Sequence, residues 1–87
     1  MNQTANSRLV RVLRLHQSFL IEGYGNVPNV INLSERKNNI TITGIIVDTG
    51  ILLTAHLTAK TVDALVPWGN IVSAELFPKV QEQSQAV

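Results

Sequence analysis

At 87 residues, with a formal charge of +1 and no cysteine, this chain is one small domain without a disulfide framework. The near-neutral balance supplies no general pull toward phosphate, and two histidines without cysteine argue against a structural zinc site. No apolar run approaches the roughly 18 residues of a membrane span and Met1–Ser7 is too polar for a secretion signal, so a soluble cytoplasmic protein is expected.

A domain of this length buries only about 60 to 65% of the surface its unfolded chain exposes. Apolar residues make up 45% of the chain, and with no staple available, homo-oligomerisation is the expected remaining source of stability. In chain order, residues 1–6 are polar and expected to be a loose N-terminus. Residues 7–78 form the single domain. Residues 79–87, "KVQEQSQAV", form a polar tail after Pro78.

Over "SRLVRVLRLHQSFLIE" (Ser7–Glu22), steps of about 100° gather Leu9, Val12, Leu13, His16, Phe19 and Leu20 on one face. Arg11, Arg14, Ser18 and Glu22 share the opposite face. This predicts an amphipathic helix over residues 8–21, with Ser7 as N-cap and Gly23 and Gly25 as the stop. The three-residue rhythm of arginine also fits an irregular strand, but the helical period matches more positions.

After "GYGNVP" the pattern turns to alternation, and a barrel of antiparallel strands is predicted over residues 29–77. Ile40–Val47 alternates aliphatic with threonine, and Gly44 within it is a natural place for a bend or bulge. Asp48-Thr49-Gly50 reads as a turn. Leu53, Ala55 and Leu57 then alternate against Thr54, His56 and Thr58, a half-buried strand. A further strand, Thr61–Trp68, puts Val62, Ala64 and Val66 on one face, and after the short turn at Gly69-Asn70 the last strand runs over Ile71–Phe77. The fold class expected is mostly β with an N-terminal α-helix, a five-stranded, strongly bent antiparallel barrel of SH3-like or Sm-like type.

No nucleophile-elbow pattern or phosphate loop is present, and Asp48, Asp63 and Glu75 fall on separate elements, so neither an enzyme, a cofactor nor a small-molecule substrate is expected. His16 reads as a half-buried imidazole on the apolar helix face or, alternatively, as a ligand contact; His56 falls on the threonine-bearing face of its strand. Arg8, Arg11 and Arg14 form a basic edge, either a solvated face or, repeated around a ring, a circular phosphate-binding patch. Trp68, beside the Gly69-Asn70 turn, either packs beneath the barrel rim or offers a stacking surface to a base.

The run "LHQSFL" (Leu15–Leu20), followed by Val27-Pro28 and by strands ending in "KTVDALVPWGNIVSAEL", resembles the Sm/LSm family in its bacterial, Hfq-type RNA-chaperone branch. The resemblance covers about residues 15–77 and is one of pattern. It implies a homo-oligomeric ring joined through the last two strands and bound to single-stranded RNA. At the turn, however, the family's tyrosine, lysine and histidine are replaced by Pro67, Trp68 and Gly69, the helix glutamine by His16, and the basic stretch after the helix by "IEGYGN". The residues expected to contact nucleic acid are Trp68, Asn70 and His16, with Arg11 and Arg14 on phosphates. A ring serving protein interaction without nucleic acid is the competing expectation, and the low charge favours it.

Overall fold

Valine, isoleucine, leucine and threonine dominate the middle of this chain, and they pack best on pleated surfaces. The computed structural model describes residues 8–78. These form nine strands: β1 Val10–Leu15, β2 Phe19–Ile21, β3 Gly25–Val27, β4 Val30–Asn32, β5 Arg36–Lys37, β6 Ile40–Val47, β7 Gly50–His56, β8 Thr61–Pro67 and β9 Ile71–Leu76, with a 3-10 turn, Trp68–Asn70, between β8 and β9. All pairings are antiparallel, in a three-stranded sheet ordered β4-β1-β9, a β2-β3 hairpin and a four-stranded sheet ordered β5-β6-β7-β8.

The two larger sheets are tied along one side. Leu9 bridges Ile45, and the Ile46 N–H donates to the Arg8 carbonyl at 3.0 Å. Leu33 N–H donates to Arg11 at 2.8 Å and Ser34 N–H to Ile42 at 2.7 Å. On the other side β8 and β9 are both edge strands, so the ladders do not close into a barrel. Between the sheets lies a core of Val10, Leu13, Leu33, Ile51, Leu53 and Val66, joined by Ile21 and Val27 from the β2-β3 hairpin. That hairpin lies against β8, where a Cβ on Gly23 would meet Val62 Cγ2 at 3.4 Å.

No α-helix occurs among the described residues; the helix predicted over residues 8–21 is instead β1, an exposed loop at 16–18 and β2. The reason lies in the first of two register irregularities between β1 and β9: the step from Val10 to Val12 adds a residue to β1, whereas the second, at Arg14/Leu15, adds one to β9 between Ser73 and Ile71. A bulge adds a residue to a period of two and thereby produces the three-residue spacing that imitates a helix face. Val10, Leu13 and Leu15 enter the core while Arg11 and Arg14 remain exposed. His16, expected on an apolar helix face, sits exposed in the loop. The N-cap assigned to Ser7 and the loose termini 1–6 and 79–87 lie outside the described residues.

The later strands follow their alternation, with β6, β7 and β8 in register from Thr41 opposite His56 to Gly50 opposite Pro67. The segment "SERKNN" contains β5 and a turn in which Asn38 and Asn39 have φ of 54° and 64°. Two positive φ values suit a tight hairpin, and asparagine tolerates them. Gly44 is neither bend nor bulge: it pairs with Leu53 in unbroken register. It is glycine because a Cβ there would lie 2.8 Å from Leu33 Cδ1 and 3.1 Å from Leu53 Cδ2. Gly44→Ala is therefore expected to overpack the core and cost about 1–3 kcal/mol, read from urea denaturation against the parent chain; unchanged stability would show that Leu33 and Leu53 yield freely.

Candidate functional site

Pro67 fixes an extended backbone ahead of the 3-10 turn, with φ −71° and ψ 156°, and the turn carries the chain from the four-stranded sheet to the three-stranded one. Its last residue, Asn70, is a clamp. The Asn70 side-chain oxygen accepts the Gln17 N–H at 3.0 Å and its amide nitrogen donates to the Gln17 carbonyl at 3.2 Å. The same residue's backbone carbonyl accepts the His16 N–H at 2.9 Å. Asn29 braces the adjoining backbone: its side-chain nitrogen donates to the carbonyls of Leu15 at 3.3 Å and His16 at 3.1 Å, while its own carbonyl accepts the Leu15 N–H at 2.7 Å. Two asparagines thus hold the loop after β1 as a missing strand neighbour would.

Trp68 ties the same turn to the β6-β7 connection. Its indole N–H donates to the Asp48 carbonyl at 2.9 Å, while the residue remains 45% exposed. An aromatic side chain with its polar atom engaged and its ring partly open is both an anchor and a contact surface.

Of the residues picked out by sequence, Trp68, Asn70 and His16 come together at one end of the molecule, through the turn and its bonds to loop 16–18. Arg14 lies near them on β1, exposed, opposite Val30 of β4 and Ser73 of β9. Arg11 stands apart: at ~3.3 Å per residue it is roughly 13 Å from Leu15. It pairs with Glu75 at 2.7 Å, both side chains 48% exposed. Such a pair adds little stability, yet it offsets the charge expected to meet phosphate. Asn70, expected to read a base, directs its amide to Gln17 instead.

Sequence reading did not single out Gln17 or Asn29 and took Asp48 only as a turn residue and an isolated carboxylate; these three position this end through backbone groups and one side-chain amide, roles that no residue-type signal marks. His56, on its threonine-bearing face, meets Thr43 Oγ1 at 3.2 Å. A separate concavity of about 310 Å³ lies between β4 and the β5-β6 hairpin, lined by Tyr24, Pro28, Val30 and Ile40 with Glu35 and Lys37, and contains none of the expected site residues. Among the described residues no group of three or more His, Cys, Asp or Glu side chains is placed to hold a metal ion, and no helix is long and apolar enough to cross a membrane.

If the Asn70 amide holds the loop, Asn70→Ala is expected to cost about 1–2 kcal/mol, two modest hydrogen bonds. Asn70→Asp keeps the acceptor for the Gln17 N–H but sets a second carboxylate oxygen against the Gln17 carbonyl, so it should not restore the parent's stability. Denaturant titration of the three chains at neutral pH decides this; equal stability of Asn70→Ala and the parent would show that the clamp contributes nothing.

Comparison of the chain with protein-family models, with curated proteins and with solved structures returns no match.

Proposed function

We propose that this chain is a self-associating module of SH3-like or Sm-like type that works through protein contacts, its copies joined edge to edge through β8 and β9 into a homo-oligomer. The observation that carries this reading is the state of those two strands. Both end their sheets, and on them Leu65 is 41% exposed, Val72 54% and Leu76 39%. Neither strand contains a lysine, the residue that most often blunts an open edge, and the blunting residues present are Asp63 and Pro67 on β8 and Glu75 on β9. Because the two edges differ, pairing β8 of one copy with β9 of the next is heterologous and closes only as a ring. A β6-β7-β8 meander followed by a 3-10 turn and a last strand returning to β1 is also the order an SH3-like barrel requires. The Sm-like variant of the fold has less support, since its N-terminal helix is replaced by β1 and β2.

The second reading is a ring that binds single-stranded RNA. It draws on the half-open Trp68 ring, which belongs to the turn whose Asn70 carbonyl holds the His16 N–H, and on the exposed Arg14 two residues before His16 in the chain. Against it stand the Arg11–Glu75 pair, the engaged Asn70 amide and a net charge of only +1.

Light scattering at micromolar concentration tests the first reading. The parent chain is expected to form a closed oligomer, and Val72→Lys, which sets a charge on the free edge of β9, to reduce its mass; a monomeric parent would refute edge pairing. For RNA, fluorescence anisotropy with uridine-rich and adenine-rich oligomers should show Trp68→Ala weakening binding by about 1–3 kcal/mol. Failure of the parent chain to bind either oligomer leaves protein contact as the function.

A further inference from the structure

Strict alternation along β6, β7 and β8 sends Ile42, Ile46, Ile51, Leu53, Val62 and Val66 inward. The residues between them face out, and not all are polar. Leu9 is opposite Ile45, Ile45 opposite Leu52, and Leu52 opposite Leu65. Directly opposed residues of an antiparallel pair share a face, so these four form one aliphatic row across the outer surface of the four-stranded sheet. None of them belongs to the core or packs against it. Leu9, Ile45 and Leu52 are half-buried and Leu65 is exposed.

The flanks of the row are ordered. On one side Val47, Gly50 and Pro67 are opposed, and on the other Thr43, Thr54 and Asp63. One step further lie Thr41, His56 and Thr61, with Arg36 of β5 opposite Thr41. Asp63 accepts a hydrogen bond from Thr54 Oγ1 at 2.9 Å, and Arg36 makes no ion pair among the described residues.

We infer that this outer face is an interface with a second copy of the same chain, packed sheet on sheet about a two-fold axis parallel to the strands and midway between β6 and β7. This goes beyond edge pairing, because it uses a face rather than an edge and stands or falls separately from it. The axis sets Leu65 over Leu9 of the second copy and Leu52 over Ile45. Val47 comes to lie over the side-chain-free position of Gly50. Asp63 is carried toward Arg36 of the second copy, so the acid and the base of the face complement each other across the axis. The flanking segments of this chain fit the row less well: "MNQTANS" and "KVQEQSQAV" are mostly polar.

The area sets the strength. Three strands, β6 to β8, about 4.8 Å apart and about seven residues long at ~3.3 Å present a face of roughly 330 Å², to which Leu9 and the two-residue β5 add a margin. Two such faces bury about 700–800 Å², well under the roughly 1,200 Å² of a stable interface, so the contact is weak and concentration-dependent. Where several copies are already joined by their edges, repetition of the face multiplies its effect by avidity.

The test is sedimentation equilibrium of the full chain, from roughly 1 µM to 1 mM, with Leu52→Asp and Val72→Lys beside the parent. Leu52→Asp places an unpaired charge in the face and should weaken face association by about tenfold or more. Val72→Lys should leave it unchanged while lowering any edge assembly. A second measurement does not depend on tolerance of aspartate. The chain has no cysteine, so Leu65→Cys and Leu9→Cys proteins can be mixed and treated with a short bis-thiol cross-linker. The mixture should yield covalent dimer well above either protein alone. Equal cross-linking of mixed and separate samples, or a Leu52→Asp chain that associates like the parent, overturns the inference, whatever becomes of the edges.

Discussion

The 3-10 turn at Trp68–Asn70 is the one connection that carries the chain from the β8 edge of one sheet to the β9 edge of the other, and the rest of the structure depends on how it is held. On the opposite side of the molecule Arg8 and Leu9, just ahead of β1, are joined to β6 by a backbone hydrogen bond and a bridge. On this side the sheets share no backbone hydrogen bond among the described residues. Their relative placement rests on Trp68 bonded to the β6-β7 turn, Asn70 bonded to the loop after β1, and the buried residues between the sheets. The same turn that completes the fold thereby leaves two strand edges open beside it, and that links stability to assembly.

An open edge in so small a domain has a thermodynamic consequence. Each unpaired N–H and C=O along β8 and β9 is satisfied by water in the single chain and by a neighbour's backbone in an assembly, while exposed leucine and valine on the same strands favour the second state. A domain whose core is limited by length gains from any such contact in proportion to concentration. The outer aliphatic row acts in the same direction on a different surface. Neither surface relies on a cluster of titratable residues, which lie dispersed over separate elements; the outer face uses only the complementary charges of Asp63 and Arg36.

What could be read from the chain divides at about residue 29. Beyond it, alternation identified β6 to β9, the 48–50 turn and the break at 69–70, though not the two-residue β5, because a sheet with one buried face writes a period of two directly into the sequence. Before it, a bulge on β1 between Val10 and Val12 distorted that period, and the arginine spacing of three matched a helix better than a regular strand. Gly44 was legible as special but for the wrong reason: crowding from Leu33 and Leu53 is a fact of packing across distant residues. The grouping of Trp68, Asn70 and His16 was expected from the family resemblance with His16 on a helix, whereas the chain brings His16 to the turn from a loop. The engagement of Asn70 by Gln17 was not expected, because a side-chain amide bonding to backbone leaves no residue-type pattern. The outer row escaped notice because Ile45 and Leu52 stand next to inward-facing aliphatics, and a run of three apolar residues does not announce which of them faces out.

Hydrogen exchange read residue by residue at low and high protein concentration tests edge pairing most directly. Amides on the free sides of β8 and β9 should exchange quickly in dilute solution and become protected as concentration rises, while those joining β6 to β7 keep their protection throughout. Exchange in β8 and β9 that is fast at every concentration would contradict the assembly derived from these two edges.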